Sequence, residues 1–434
     1  MAGEWKKERL SDLCSEIADC PHSTPLWTDS GALVLRSQNI RNGRLDLSAK
    51  SYTDEAHFEQ RSRRARLRGG DLVITREAPM GEVCLIPDGL RCCLGQRMVM
   101  LRPDPKKCHS RFLLYSIQSR VVQDEIKVNE GTGSTVSNLR IPLLEALPIP
   151  HPPLAEQKAI AAVLGALDDK IELNRRMNAT LEAMARALFQ SWFVDFDPVR
   201  AKLDGRKPIG LDEATAALFP EHFAHTEHDM LPIGWRRAAI EEVCAINAWT
   251  LGKNDDLKML EYVEISEVSR CNIANIATYP RGEEPSRARR RLLHGDTVLS
   301  TVRPDRGSYF LSLSPPVNRV VSTGFAVLTP TKVPWSLLYA ALTQPDVSDH
   351  LGQMADGGAY PAVRPEIIGA IQVALPNEPK ILDAFHCICG PLFEQAEDNR
   401  IQSRTLATLR DTLLPKLLSG ELSLTANLEA STKS

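Results

Sequence analysis

Residues Gly70-Asp71-Leu72-Val73-Ile74-Thr75 recur 225 positions later as Gly295-Asp296-Thr297-Val298-Leu299-Ser300. A tryptophan near the start of each copy, Trp5 or Trp235, repeats at an offset of 230. Further pairs at the offset of 225 are Gly133 with Gly358 and Asn174-Arg175 with Asn399-Arg400. Chance identities would not keep one register over more than 100 residues, so the sequence predicts an internal duplication.

Each copy opens with short apolar runs that are separated by Gly, Pro and Asp, such as Leu72–Thr75 and Met98–Leu101. This pattern is typical of strands in a mainly antiparallel or mixed sheet. Longer stretches, Ser110–Ile126 and Pro334–Leu342, predict helices. We therefore expect an α+β fold with two pseudo-symmetric α/β domains.

A proline-rich segment and then a long helix follow in each copy. From Leu164 to Trp192, apolar residues alternate at spacings of three and four, which is an a/d stripe kept for four heptads. Each helix spans about 60 Å at 1.5 Å per residue, longer than a small domain is wide, so we expect the two helices to pair antiparallel as a coiled-coil-like spacer. Polar residues occupy the middle of the seam and should fix its register: Asn174, Asn178, Asn399 and Ser403. In that alignment Asn174 meets Asn399.

The composition is that of a globular protein, with 43% hydrophobic and 25% charged residues. No apolar run near Met1 resembles a signal peptide, and no stretch is long enough to span a bilayer, so we expect a cytoplasmic protein without a membrane partner. The ten cysteines include no C-x-x-C pair, which predicts reduced thiols and no metal site. The segment 194–230 carries four basic and eight acidic residues, which indicates an acidic connector.

The segment from Leu147-Pro148-Ile149-Pro150 through Glu156-Gln157-Lys158 to Trp192-Phe193 resembles the central region of type I restriction–modification specificity subunits. Leu414–Leu422 resembles the end of proteins in that family, whereas Asn377-Glu378-Pro379-Lys380 departs from the usual Pro-Pro-x-x-Glu-Gln pattern. The resemblance implies two target recognition domains, each reading half of a split, asymmetric sequence in double-stranded DNA. It also implies that the helices set the gap between half-sites and dock two methyltransferase (modification) subunits, which restriction subunits with translocase activity then join.

This resemblance assigns a role to each part of the chain. The predicted parts are target recognition domain 1 at 1–150, a central spacer helix at 151–195, an acidic connector at 196–230, target recognition domain 2 at 231–376, a C-terminal spacer helix at 377–422 and a disordered tail at 423–434.

Arginine clusters precede both Gly-Asp strands and suit DNA phosphates, although a solvated face balanced by nearby acids is an equal alternative. The cluster residues that we select are Arg64, Arg66, Arg289 and Arg291. Base reading needs side chains that donate and accept at loop or strand ends. The candidates in the first copy are Arg36, Ser37, Gln38, Asn39, Thr75, Arg76, Ser134 and Thr135, and those in the second are Ser266, Thr301, Arg303, Arg306 and Tyr360.

Motifs that would indicate catalysis are weak, and we predict no catalytic residue and no cofactor. His151-Pro152-Pro153-Leu154 lacks the aromatic residue that stacks on a flipped base, and no G-x-x-x-x-G-K-[ST] occurs. Asp104 and Glu125-Ile126-Lys127 mimic a nuclease pattern, but Glu125 lies in a predicted helix. The alternatives that remain are a stand-alone duplicated DNA-binding regulator and, with less support, a DNA-modifying enzyme.

Overall fold

The computed structural model describes residues 5–128, 138–225, 230–252, 255–358 and 361–425. The chain divides into two compact units, the first made of residues 1–172 and 403–434 and the second of residues 173–402. Each unit contains one sheet-bearing copy and parts of both long helices. The candidate residues Ser134, Thr135 and Tyr360 lie outside the described residues.

The first copy alternates short strands with short helices and ends in one long helix. Its strands are β1 (Lys7–Arg9), β2 (Cys14–Asp19), β3 (Ala32–Leu35), β4 (Ile40–Arg41), β5 (Arg44–Leu45), β6 (Tyr52–Thr53), β7 (Leu72–Thr75), β8 (Val83–Leu85), β9 (Cys92–Leu94), β10 (Met98–Pro103) and β11 (Pro148–Pro150). Its helices are α1 (Leu10–Leu13), α2 (Glu55–Ser62), α3 (Ser110–Gln118), α4 (Arg120–Val128), α5 (Ile141–Glu145) and α6 (Leu154–Phe189), and a π-helical turn, Gln190–Val194, extends α6.

A connector follows the first copy, and the second copy then repeats the order of strands and helices of the first. The connector holds α7 (Asp197–Leu203), α8 (Glu213–Leu218), β12 (Phe223–His225) and β13 (Met230–Pro232). The strands of the second copy are β14 (Trp235–Ala239), β15 (Cys244–Ile246), β16 (Met259–Val263), β17 (Val268–Ser269), β18 (Asn272–Ile273), β19 (Ala277–Pro280), β20 (Ala288–Arg291), β21 (Asp296–Ser300), β22 (Tyr309–Ser312), β23 (Arg319–Ser322), β24 (Phe325–Pro330) and β25 (Gln372–Pro376). Its helices are α9 (Ile240–Val243), α10 (Trp335–Leu342), α11 (Pro345–Gln353), α12 (Pro365–Gly369) and α13 (Pro379–Ser419).

The two copies share their sheet topology, except that β20 adds a fourth strand to the second sheet of the second copy. An antiparallel sheet has the order β2-β10-β7-β8 in the first copy and β15-β24-β21-β22 in the second. A second sheet contains one parallel pair, β3 with β9 or β16 with β23, and β6 or β19 lies antiparallel at one edge. A two-stranded ladder, β1 with β11 or β14 with β25, joins the start of each copy to its end. The duplication in sequence is therefore a duplication of fold.

Side chains on β7 alternate between two hydrophobic clusters. Leu72 and Ile74 pack in the cluster that includes Phe112 of α3, whereas Val73 packs in the cluster of the second sheet. All three are fully buried. A strand that is covered on both faces needs an unbroken apolar run, which explains the sequence of β7.

Buried amides form the contact between the long helices in the second unit. Asn178 Nδ2 donates to Ala396 O at 2.9 Å, and Asn399 Nδ2 donates to Asn178 Oδ1 at 2.8 Å. Asn174 Nδ2 donates to Asn399 O at 3.2 Å and to Gln402 Oε1 at 2.9 Å. As the residue number increases along α6, from Asn174 to Asn178, the residue number of its partner on α13 decreases, from Gln402 to Ala396. These segments therefore run antiparallel, and Asn174 meets Asn399.

In the first unit, polar side chains connect the start of α6 to its surroundings. The buried Glu156 carboxylate accepts hydrogen bonds from Leu424 N at 2.7 Å and from Thr425 N at 2.9 Å, just after α13 ends. Burial raises the pKa of Glu156, but the hydrogen bond from the Thr425 hydroxyl, together with these backbone bonds, holds it below its usual value. Gln157 accepts from His109 N at 2.9 Å and donates to Lys107 O at 3.0 Å. Glu156 therefore holds the residues that follow α13, and Gln157 holds the segment that precedes α3.

The repeated Gly-Asp strands differ in what their aspartates meet. Asp71 accepts two hydrogen bonds from Arg102, at 2.9 and 2.8 Å. At the equivalent position of the second copy stands Thr329, whose hydroxyl donates to Asp296 at 2.7 Å. Burial without a facing arginine raises the pKa of Asp296 to about 6, although hydrogen bonds from Leu293 N and from the Thr329 hydroxyl oppose the effect.

Among the described residues, no helix is both long enough and apolar enough to cross a membrane.

The amide seam predicts a characteristic pattern of stabilities. Asn399→Ala leaves the buried Asn178 amide short of a partner, so we expect the unfolding free energy to fall by about 1–3 kcal/mol. The double variant Asn178→Leu/Asn399→Leu removes both polar groups together and should recover most of that loss. Urea denaturation followed by circular dichroism measures both, with Met184→Ala on the exposed face of α6 as the control. A double variant no more stable than Asn399→Ala would contradict this account.

The Asp296 environment predicts a pH-dependent stability in the second copy. The pKa of about 6 in the folded state exceeds the ordinary value of 3.8, so the folded state binds the proton more tightly. This contribution to stability is therefore largest at low pH and is lost as the pH rises through about 6, by no more than about 3 kcal/mol. Asp296→Asn should gain stability relative to the wild type between pH 4.5 and 7, whereas Asp71→Asn, which breaks the Arg102 pair, should lose it. Parallel pH profiles for the wild type and Asp296→Asn would refute the assignment.

Candidate nucleic-acid interface

The first group of predicted reading residues lies after β3. Arg36 and Gln38 are exposed and Ser37 is half-buried, on a 3-10 turn that spans Ser37–Asn39. Asn39 is buried instead, and its amide donates to Asp46 O and Ala49 O, both at 2.8 Å. Asn39 thus folds the loop that presents Arg36 and Gln38 to solvent.

The residues after β7 are bonded inside the first domain. Thr75 Oγ1 donates to Pro79 O at 2.6 Å, and Thr75 is buried. The Arg76 guanidinium donates to Asp19 at 2.9 Å, to Leu139 O at 2.9 Å and to Asn138 Oδ1 at 3.2 Å. Arg76 therefore connects the end of β7 to the end of β2 and to the segment at Asn138-Leu139.

The arginine cluster of the first copy divides into one buried and several exposed side chains. Arg61 is only 4% exposed and donates to the backbone oxygens of Ser23, Leu94 and Gly95 at 2.9–3.0 Å. Arg64 and Arg66 are exposed, and Arg66 pairs with Glu59. Arg61 therefore builds the loop before β3, whereas Arg64 and Arg66 are placed where phosphates could reach them.

The candidates of the second copy also divide by burial. Thr301 is buried and its hydroxyl donates to Gly324 O at 2.8 Å. Ser266 and Arg306 are exposed, and Arg303 is half-buried beside the 3-10 turn Pro304–Arg306. Arg289 and Arg291 lie half-buried on β20, and Arg291 pairs with Asp255 at 3.3 Å.

Exposed tryptophans belong to the same surfaces, and the sequence reasoning missed them. Trp27 is 45% exposed and its ring lies 5.3 Å from the guanidinium carbon of Arg36. Trp249 is 51% exposed, and its backbone oxygen accepts a hydrogen bond from Arg291 N at 3.0 Å on β20. In both copies the loop leads from the first strand of one sheet to the first strand of the other. A tryptophan in a polar loop between predicted strands was the available signal.

The described residues contain no group of three or more His, Cys, Asp or Glu side chains that could hold a metal ion. Asp104 caps a turn, since its carboxylate accepts from Lys106 N at 3.0 Å, and Glu125 lies on α4. These two carboxylates of the nuclease-like pattern thus occupy a turn and a helix. The surfaces described above are suited to binding by charge and hydrogen bonding.

Comparison with known proteins shows which proteins this chain is similar to. The profile described as "Type I restriction modification DNA specificity domain" matches residues 2–183. The HindI type I restriction enzyme specificity subunit of Haemophilus influenzae is 24% identical over 82% of this chain and 87% of its own length. The MjaIX specificity subunit of Methanocaldococcus jannaschii is 25% identical over 81% of this chain and 78% of its own length.

The fold agrees with this similarity. The crystal structure of a type I restriction–modification system S subunit from M. genitalium superposes with a TM-score of 0.57, covering 95% of this chain and 96% of the other at 19% identity. The match extends over both copies and both long helices. Residues 2–183 thus match the type I restriction–modification specificity domain, and the chain is similar to type I specificity subunits over about four fifths of its length.

Proposed function

We propose that this chain recognises a bipartite, asymmetric sequence in double-stranded DNA and scaffolds the modification and restriction subunits of its complex. The observation that carries the proposal is a duplicated fold with unlike surfaces. Both copies keep the same two-sheet framework, with one extra edge strand in the second, yet Arg36 and Gln38 in the first correspond to Glu264 and Ser266 in the second. Two readers with one framework and different side chains suit two different half-sites.

The helix pair supports the scaffold role in this proposal. Buried amides fix which residue of α6 faces which residue of α13, and such a seam specifies register at the expense of stability. A helix pair of fixed register can serve as a ruler between half-sites. By this proposal it also docks two methyltransferase subunits, which restriction subunits with translocase activity join.

We further propose that the chain carries no catalytic residue of its own and acts in the cytoplasm. Support for the first point comes from Asp104 and Glu125, which lie on a turn and a helix rather than on adjacent strands. Support for the second comes from the cysteines, all ten of which are free thiols. Methylation and cleavage therefore belong to the partner subunits.

Exchanging one recognition domain tests the proposal. Replacing residues 1–150 by those of another family member keeps the ladder between β1 and β11 within the transplanted piece. After coexpression with the modification subunit, sequencing of methylated positions should show one altered half-site and one unchanged half-site. The matched control exchanges residues 231–376 and should alter the other half only. The proposal would be refuted by a change in both half-sites after either exchange. Methylation by the purified chain without partners would refute it too.

Lengthening the helix pair tests the ruler. Because the helices run antiparallel, a seven-residue block must enter both of them, before Asn174 in α6 and after Gln402 in α13, to keep the buried amides and the Glu182–Arg400 pair in register. Seven residues add about 10 Å of helix, which corresponds to about three base pairs of duplex. We expect the spacer of the methylated target to grow by that amount with both half-sites kept. A block in α6 alone is the control and should abolish methylation, and an unchanged spacer after the paired insertion would contradict the ruler.

A further inference from the structure

Each copy forms a small hairpin directly after the first strand of its second sheet. In the first copy β4 and β5 pair around Asn42-Gly43, and in the second β17 and β18 pair around Arg270-Cys271. The φ angles are 50° and 78° in the first turn and 24° and 67° in the second. Asn-Gly is the sequence that this turn favours, because glycine and asparagine tolerate positive φ. The second copy keeps the same turn shape with two residues that disfavour it.

The Cys271 side chain reaches a buried tyrosine. Its Sγ atom lies 3.0 Å from Tyr339 Oη, and the two residues are 7% and 2% exposed. The Tyr339 ring packs edge-on against Phe393 of α13, with centroids 5.0 Å apart. Burial raises the pKa of Cys271 to about 11, so the thiol remains protonated and shares a neutral hydrogen bond with the phenol. The turn is thereby attached to the long helix.

An ion pair between the two long helices lies beside this contact. Arg400 of α13 pairs with Glu182 of α6 and, at 3.1 Å, with Glu397. Glu182, Cys271 and Tyr339 line one cavity of about 10 Å³, which is about the size of one water molecule. The thiol therefore enters the junction where the second domain meets both helices within its unit.

The backbone of the same turn holds the loop that carries two candidate reading residues. Arg270 N donates to Gly307 O at 3.0 Å, and Cys271 N donates to Tyr309 O at 2.8 Å. Gly307 directly follows the 3-10 turn Pro304–Arg306, which Arg303 precedes with a φ of 47°. The side chain of this turn thus reaches α13 by way of Tyr339, and its backbone holds Gly307 and Tyr309, which follow the Arg303–Arg306 loop.

We propose that Cys271 is a positioning residue, which fixes the Arg303–Arg306 loop against the helix pair and so sets how the second domain presents its arginines to DNA. The inference rests on the proposed function of that domain as a DNA reader. Ordinary burial of a cysteine would not require a left-handed backbone, because a small apolar side chain packs equally well from an unstrained position. Cys271 keeps its strained, positive φ where its side chain contacts Tyr339 and its backbone contacts Tyr309. Backbone strain at such a position indicates a functional role.

The test uses the full chain coexpressed with its modification subunit, with the wild-type target first mapped by sequencing of methylated positions. Cys271→Gly restores a turn sequence suited to positive φ and deletes the thiol contact. We expect discrimination against single-base mismatches in the second half-site to fall about tenfold, with the first half-site read as before. Cys271→Ser keeps a hydroxyl within reach of Tyr339 and should retain discrimination, and Tyr339→Phe, which removes the partner, should resemble Cys271→Gly.

Asn42→Gly in the equivalent turn of the first copy is the matched control and should leave both half-sites unchanged. Wild-type discrimination by both Cys271→Gly and Tyr339→Phe would overturn the inference while the reading function stands. An equal loss in both half-sites would also overturn it, because general destabilisation explains that result. A wild-type complex that methylates no bipartite target would overturn the proposed function and, with it, this inference.

Discussion

The hydrogen bond between the amides of Asn178 and Asn399, buried between α6 and α13, is the constraint on which the second unit depends. An apolar seam would let one helix slide by a heptad at little cost, whereas a displaced asparagine would lose its partner in a dry environment. The amides therefore fix the register of the helices at some cost in stability. That register determines which helix residues meet the recognition domain, including Glu182, Arg400 and Phe393 around Tyr339.

The two copies solve the same structural problems with different residues. Arg102 pairs with Asp71 in the first copy, whereas burial raises the pKa of Asp296 in the second despite the hydrogen bond from Thr329. The first hairpin turns on Asn42-Gly43, and the second turns on Arg270-Cys271. Shared topology with unshared side chains is what a duplicated protein needs in order to read two unlike half-sites. The strands and the helix seam keep the framework, while turns and loops diverge.

Several residues predicted to read bases are hydrogen-bonded within their own domain. Asn39, Thr75, Arg76 and Thr301 all bond to the chain's own backbone. Sequence reasoning could not separate them from Arg36, Gln38 and Arg306, because the same donors and acceptors serve a turn or a base equally well. Only the direction of each side chain decides between these roles, and that direction follows from packing against distant residues.

The sequence by itself determined the duplication, the length of both helices and the polar positions of their seam. These features follow from periodicity and local chemistry, which one chain segment expresses without reference to another. The tertiary structure alone decided which residues reach solvent, that Trp27 lies beside Arg36, and that Cys271 meets Tyr339. Such contacts join residues far apart in the chain, and they form only after sheets and helices have packed, so no local pattern records them.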